Sequence, residues 1–399
     1  MIGYQAFADL CRSSDSDERG HAAHLAALAY LDHRGPADEH AALYAALISF
    51  LDDPSVKVRA ALAYGLLHSA EAPRPIILAL LRDSPIISRA VLQYSPILVD
   101  ADLMPIARRD DIAALVAIAQ RPQLSPRLAA ALIGRDDTAL KLRVLRRADV
   151  ALAEEVLLGL ASEHGGDAGI RGALLARRDL PAAARLLLVR RVTESLRQAR
   201  IVKGALAPDR LERLLRDGTD SAVSTIGEAA SAGPNFVADL VGSDQINTRL
   251  LLHAVATGHV MFFSACLANL ADVSREKVFT LLESGSRAAL NALFARSGLD
   301  EGVCRLLVRM VMHARAADLS DDLAARHYVV TALTEELLAE HDGDIPVALE
   351  EAFTYLSEQN IALARQAARG VMAAFAGSRA GSLALPPVPD SDIVALPAA

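Results

Sequence analysis

An Asp followed six residues later by an Arg recurs in the first half of the chain: Asp53 and Arg59, Asp83 and Arg89, Asp137 and Arg143. Each Asp opens a stretch with helical periodicity and each Arg falls on its second turn, as in DDPSVKVRAAL (52–62), RDSPIISRAVL (82–92) and RDDTALKLRVL (135–145). A carboxylate and a guanidinium kept at one interval, in units lying side by side, can pair between neighbours. Such units must stack, because two short helices have nothing of their own against which to bury their apolar stripes. Acidic unit starts near Asp53, Asp83, Asp110, Asp137 and Asp167 lie 30, 27, 27 and 30 residues apart. That leaves room for two helices of about ten residues and two short loops per unit.

Helix starts are marked by short polar residues next to proline: Asp53–Pro54, Ser84–Pro85 and Ser125–Pro126. The polar side chain accepts an orphan backbone N–H, and proline at the first helical position gives up no needed donor. After Asp53, the residues Val56, Ala60, Ala63 and Leu67 recur at helical steps and predict one apolar face. Composition agrees. Hydrophobic residues make up 52% of the chain, but aromatics only 4%, with no Trp. Ala and Leu supply most of the rest, and these favour close-packed helices over sheets.

Residues 181–205 predict a long amphipathic connecting helix that breaks the repeat rhythm. It is flanked by N-terminal helices over 1–50 and repeats over 51–180, and followed by degenerate helical repeats over 206–376. In that second half, the stretches 221–233, 246–258 and 286–298 each end in Gly, a common helix stop. A last helix pair is expected near 323–341 and 346–376. From 377 to 399 small residues and prolines predict a flexible tail. Within it LPPVP (385–389) has polyproline character, and VALPAA ends the sequence.

DPSVKVRAALAYGL (53–66) resembles the second helix of a HEAT repeat, in which Asp and Arg form ladders between repeats. The longer run 52–103 is similar to a bacterial family of HEAT-like proteins designated only as a domain of unknown function. The resemblance implies an all-α HEAT-like α–α superhelix, or solenoid, of short two-helix repeats. It implies no activity. Two units depart from the pattern, since Val116 stands six residues after Asp110 and Arg171 only four after Asp167.

Three scattered cysteines, Cys11, Cys266 and Cys304, argue against a disulfide framework and fit a reducing compartment. Uncharged apolar runs fall well short of the ~20 residues of a membrane span, and charged residues interrupt the stretch after Met1. A cytoplasmic protein is expected. Phosphate-loop, nucleophile-elbow and zinc-protease motifs are missing from the sequence. The residues therefore predict no catalytic, cofactor or metal site. His21, His24, His33 and His40 read as solvent-facing histidines, and Cys266 and Cys304 as buried, inert thiols.

The formal charge is −8, yet about 21 Lys/Arg stand against about 13 Asp/Glu between 108 and 216. Arg146, Arg147, Arg177, Arg178, Arg190, Arg191, Arg197 and Arg200 are the candidate binding surface of this basic mid-section. The function expected is a scaffold or adaptor that holds an acidic protein partner, weakened by salt. A HEAT-like nucleic-acid binder is the alternative, though the arginines lack the aromatic platforms that single strands stack on. The Asp/Arg residues read as structural, so Arg89→Ala is expected to lower the melting temperature.

Overall fold

The computed structural model describes residues 10–229, 233, 235–316, 319 and 322–377. All its regular structure is helical, with no strand among the described residues. The chain divides into two compact units, 1–192 and 193–399. The expected tail, with LPPVP and VALPAA, lies outside the described residues apart from Gly377.

Unit 1 is a run of short helices: α1 (Ser16–Asp32), α2 (Ala37–Leu51), α3 (Val56–Leu66), α4 (Arg74–Leu80), α5 (Pro85–Tyr94) and α6 (Asp100–Ala107). It continues with α7 (Ile112–Ala119), α8 (Pro126–Ile133), α9 (Thr138–Leu145), α10 (Glu154–His164), α11 (Ala168–Leu175) and α12 (Ala182–Gln198). Each odd-numbered helix packs on the next: α1 on α3, α3 on α5, α5 on α7, α7 on α9 and α9 on α11. One apolar core threads the unit from Ala22 to Leu188. The first contact is the tightest. A Cβ on Gly65 would stand 2.6 Å from the Ala27 methyl, so only glycine lets α3 approach α1 this closely.

Two sequence expectations change here. Pro85 and Pro126 do start helices, but α3 begins at Val56 behind a Ser55 cap, which leaves Asp53 and Pro54 outside it. The single connecting helix over 181–205 is instead α12 and a short α13 (Arg200–Ala205), separated by extended backbone at Ala199. The last buried residue of α12 is Leu188. Beyond it no buried apolar face sustains the helix, and propensity alone does not carry a helix far in water. The division into units falls after Val192, inside α12.

Unit 2 holds α14 (Pro208–Glu228), α15 (Asn235–Gly242), α16 (Thr248–Ala256), α17 (Val260–Ala271), α18 (Arg275–Ser284) and α19 (Arg287–Arg296). The last three helices are α20 (Glu301–Ala314), α21 (Leu323–Glu340) and α22 (Val347–Gly377). α16 is its centre, buried at every residue from Arg249 to Ala256 and packed on α14, α17, α20, α21 and α22. Two of the predicted glycine stops, Gly258 and Gly298, adopt φ of +76° and +78° after α16 and α19.

Candidate partner-binding surface

Side chains at the starts of the odd helices join the first hairpins of unit 1. Arg19 on α1 makes a two-pronged bond to Asp53, at 2.8 and 3.2 Å, and also donates to the Ser13 and Ser14 carbonyls. Arg59 on α3 repeats this with Asp83, at 2.7 and 3.0 Å, and donates to the Asp53 carbonyl. Hydrogen bonds from Arg19 and Arg59 hold the Asp53 and Asp83 carboxyls below their ordinary pKa, and burial opposes this only in part.

These rungs stop at α5. Arg89 and Arg143, expected to continue them, are exposed and form no ion pair among the described residues. The physical reason is the position of the next Asp. Asp53 and Asp83 precede their helix caps, so their carboxylates can reach across to a neighbour. Asp111, Asp137 and Asp167 are themselves the N-caps of α7, α9 and α11, and accept from Ala113 and Ala114, from Leu140 and from Ile170. A carboxylate occupied by its own helix offers little to the next unit, and Asp110, one residue ahead of the α7 cap, is taken by Arg135.

From α7 onward a different arginine takes over, two residues beyond the end of each odd helix. Buried Arg121 donates to the carbonyls of Leu92, Ser95 and Leu98 at the end of α5. Arg147 reaches Ala119, Arg121 and Pro122 at the end of α7. Arg177, 7% exposed, reaches Leu145, Arg147 and Val150 at the end of α9. Helices leave their last carbonyls unpaired, and a guanidinium has a fork of donors to satisfy them. Asp149 and Asp179, two residues on, balance Arg147 and Arg177. The sequence signal is regular: Arg121, Arg147 and Arg177 each stand ten residues after the N-caps Asp111, Asp137 and Asp167. The six-residue interval masked it.

The expected basic surface is thereby thinned. Arg147 and Arg177 serve the stack. Arg197 is held by Glu194 and Glu212, which raise its pKa. Arg190 and Arg191 are exposed but have partners. Arg146, Arg178 and Arg200 remain exposed, and form no ion pair among the described residues.

A groove of about 780 Å³ opens in unit 1 where this second set of rungs begins. His68 and Tyr94 line one part of it; Asp100, Arg121, Gln123 and Asp149 line another. The Ser95 hydroxyl, between the lining residues Tyr94 and Pro96, is buried without a hydrogen-bond partner among the described residues. Aromatic contacts join neighbouring units: His24 on α1 lies 5.5 Å from Tyr64 on α3, and His68, just past α3, 5.2 Å from Tyr94 on α5. Tyr64 is 69% exposed. His33 and His40 stack on each other at 5.7 Å.

In unit 2 the polar centre is structural in character. Arg249 on α16, 2% exposed, pairs with Asp217, Asp220 and Glu358, and lies over the Tyr355 ring. Burial pushes the Asp217 and Asp220 carboxyls up. His253 meets the Tyr355 hydroxyl at 3.1 Å, and burial pulls its pKa down to about 4. Cys266 and Cys304 are buried, and burial raises both thiols.

The described residues are all-helical, and in the first unit short helices pack in succession with arginines joining the neighbours. The chain belongs to the family described as Uncharacterised protein conserved in bacteria (DUF2336), whose model matches residues 87–346. No curated protein and no solved structure matches it. The matched span takes in Arg121, Arg147 and Arg177, whereas Arg19–Asp53 and Arg59–Asp83 precede it. No described helix is long and apolar enough to cross a membrane.

Proposed function

We propose that the protein is a noncatalytic binding module whose first unit is a HEAT-like α–α superhelix holding an acidic protein partner. The observation that carries this reading is the uninterrupted packing of α1, α3, α5, α7, α9 and α11, locked at the helix starts up to α5 and at the helix ends from there to α11. Such a stack offers an extended surface, and repeat arrays use such surfaces to bind. The groove beside Tyr94 and Arg121 supplies shape, and exposed Arg146 and Arg178 supply charge. Unpaired Cys11, Cys266 and Cys304 suit a reducing cytoplasm as its setting.

The test is affinity isolation from bacterial cytoplasm at low and moderate salt, with quantitative mass spectrometry. An acidic protein should co-purify with the wild type and be lost both in higher salt and with Arg146→Glu plus Arg178→Glu. A partner indifferent to both changes refutes the charged surface. A gel shift with duplex DNA that survives moderate salt would replace the protein partner with nucleic acid.

A further inference from the structure

Unit 2 carries a second surface, between α14 and α22. Along α14, Arg210, Arg213, Leu214 and Asp217 stand at i, i+3, i+4 and i+7; along α22, Glu358, Ile361, Ala362 and Arg365 repeat that spacing. Each helix therefore turns one face to a shared groove of about 400 Å³. Its floor is fixed. Asp217 and Glu358 both bind buried Arg249, and Arg213 approaches Glu358 at 3.7 Å. The apolar residues of its walls are open to solvent, with Leu214 50% and Ile361 56% exposed. Arg210 and Arg365 are exposed and make no ion pair among the described residues.

α22 extends this surface. Leu363 is its last buried side chain among those described, yet the helix runs on to Gly377. Arg369 and Met372, the latter 70% exposed, follow Arg365 at helical steps. From Ala364 to Arg369 no side chain is buried, and such a stretch gains little from its own unit. An exposed row of apolar residues beside unpaired arginines is what a docked helix would cover.

We propose that this groove binds an acidic amphipathic helix of a partner protein. Helical walls with ridges at i, i+3, i+4 and i+7 fit a third helix laid along them, apolar face down. Carboxylates on its flanks would meet Arg210, Arg365 and Arg369. A second copy of this chain fits poorly, because like faces would set arginine against arginine. The inference rests on the reading of the protein as a binding module and adds a second surface with its own chemistry.

The probe is a fluorescein-labelled synthetic amphipathic helix of about 18 residues, Leu on one face with Glu on its flanks, and a counterpart with Lys for Glu. Fluorescence anisotropy with the full chain should show saturable binding of the Glu peptide and not of the Lys peptide. Arg210→Glu with Arg365→Glu, and separately Ile361→Glu, should each weaken binding at least about tenfold with unchanged thermal melts. The charge-reversed protein should instead take up the Lys peptide. Arg146→Glu with Arg178→Glu should bind the Glu peptide like the wild type. Loss in that variant moves the site to unit 1 and overturns this inference while leaving the first reading standing. No binding, equal binding of both peptides, or a dimer in light scattering that Ile361→Glu dissolves would each overturn it too.

Discussion

Between α1 and α5, neighbouring odd helices of unit 1 are joined at their starts, by Arg19 with Asp53 and Arg59 with Asp83. Between α5 and α11 they are joined at their ends, by Arg121, Arg147 and Arg177 reaching backbone carbonyls. The difference turns on one or two residues of chain. Asp53 and Asp83, ahead of their caps, still reach the preceding odd helix; Asp110, also ahead of a cap, is taken by Arg135, and Asp111, Asp137 and Asp167 are taken by their own helices. The lock then moves to the other end, where orphan carbonyls already wait for donors. A carbonyl rung also needs no charge on the facing helix, which leaves the neighbour's sequence freer.

This contrast can be broken experimentally, and the largest effect should come from the later hairpins. Arg177→Ala strands three carbonyls that a buried guanidinium satisfies and leaves exposed Asp179 without its partner, and should cost about 3 kcal/mol in urea unfolding. A loss no larger than that of a surface mutant would remove the carbonyl rungs from the account. Arg59→Ala, at a partly exposed ion pair, should cost about 1 kcal/mol after solvent screening. A double-mutant cycle sharpens the comparison. Arg59 and Asp83 should couple for most of their joint effect, whereas Arg177 and Asp179 should not, since carbonyls carry much of the Arg177 contribution.

Acid should also separate the two regions. Asp53 and Asp83 are held below the ordinary carboxylate value of 3.8. A depressed folded pKa contributes stability that is fully present above the unfolded value and is lost as pH falls below it. Arg59→Ala should therefore flatten the acid limb of a pH–stability curve. An unchanged limb would mean these carboxylates are not held by their arginines. The smallest effects belong to Arg89→Ala and Arg143→Ala, each within about 0.5 kcal/mol of wild type. A clear drop in melting temperature for Arg89→Ala would restore the six-residue ladder that the structure interrupts.

Much of the helical punctuation was legible in the residues. Pro85 and Pro126 start helices, Gly258 and Gly298 follow helix ends, and the Leu- and Ala-rich stretches are helices. Local chemistry sets all of these. The basic mid-section was legible only as a count. Whether an arginine faces solvent or a neighbour's carbonyls depends on which helix lies beside it, so Arg146 and Arg147, adjacent in sequence, end in different roles. The Arg249 cluster was out of reach, since Asp217, Asp220 and Glu358 come from helices far apart along the chain.

By itself the sequence determined that the chain is helical, where several helices begin and end, and that acidic residues recur at unit spacing. These depend on caps, proline and periodicity, which act within a few residues. Tertiary structure alone decided which arginines lock hairpins together, which stay exposed, and which apolar rows on α14 and α22 share a groove. A guanidinium on a long side chain takes its partner from whatever donor-hungry group packing brings within reach, and packing is not written in neighbouring residues.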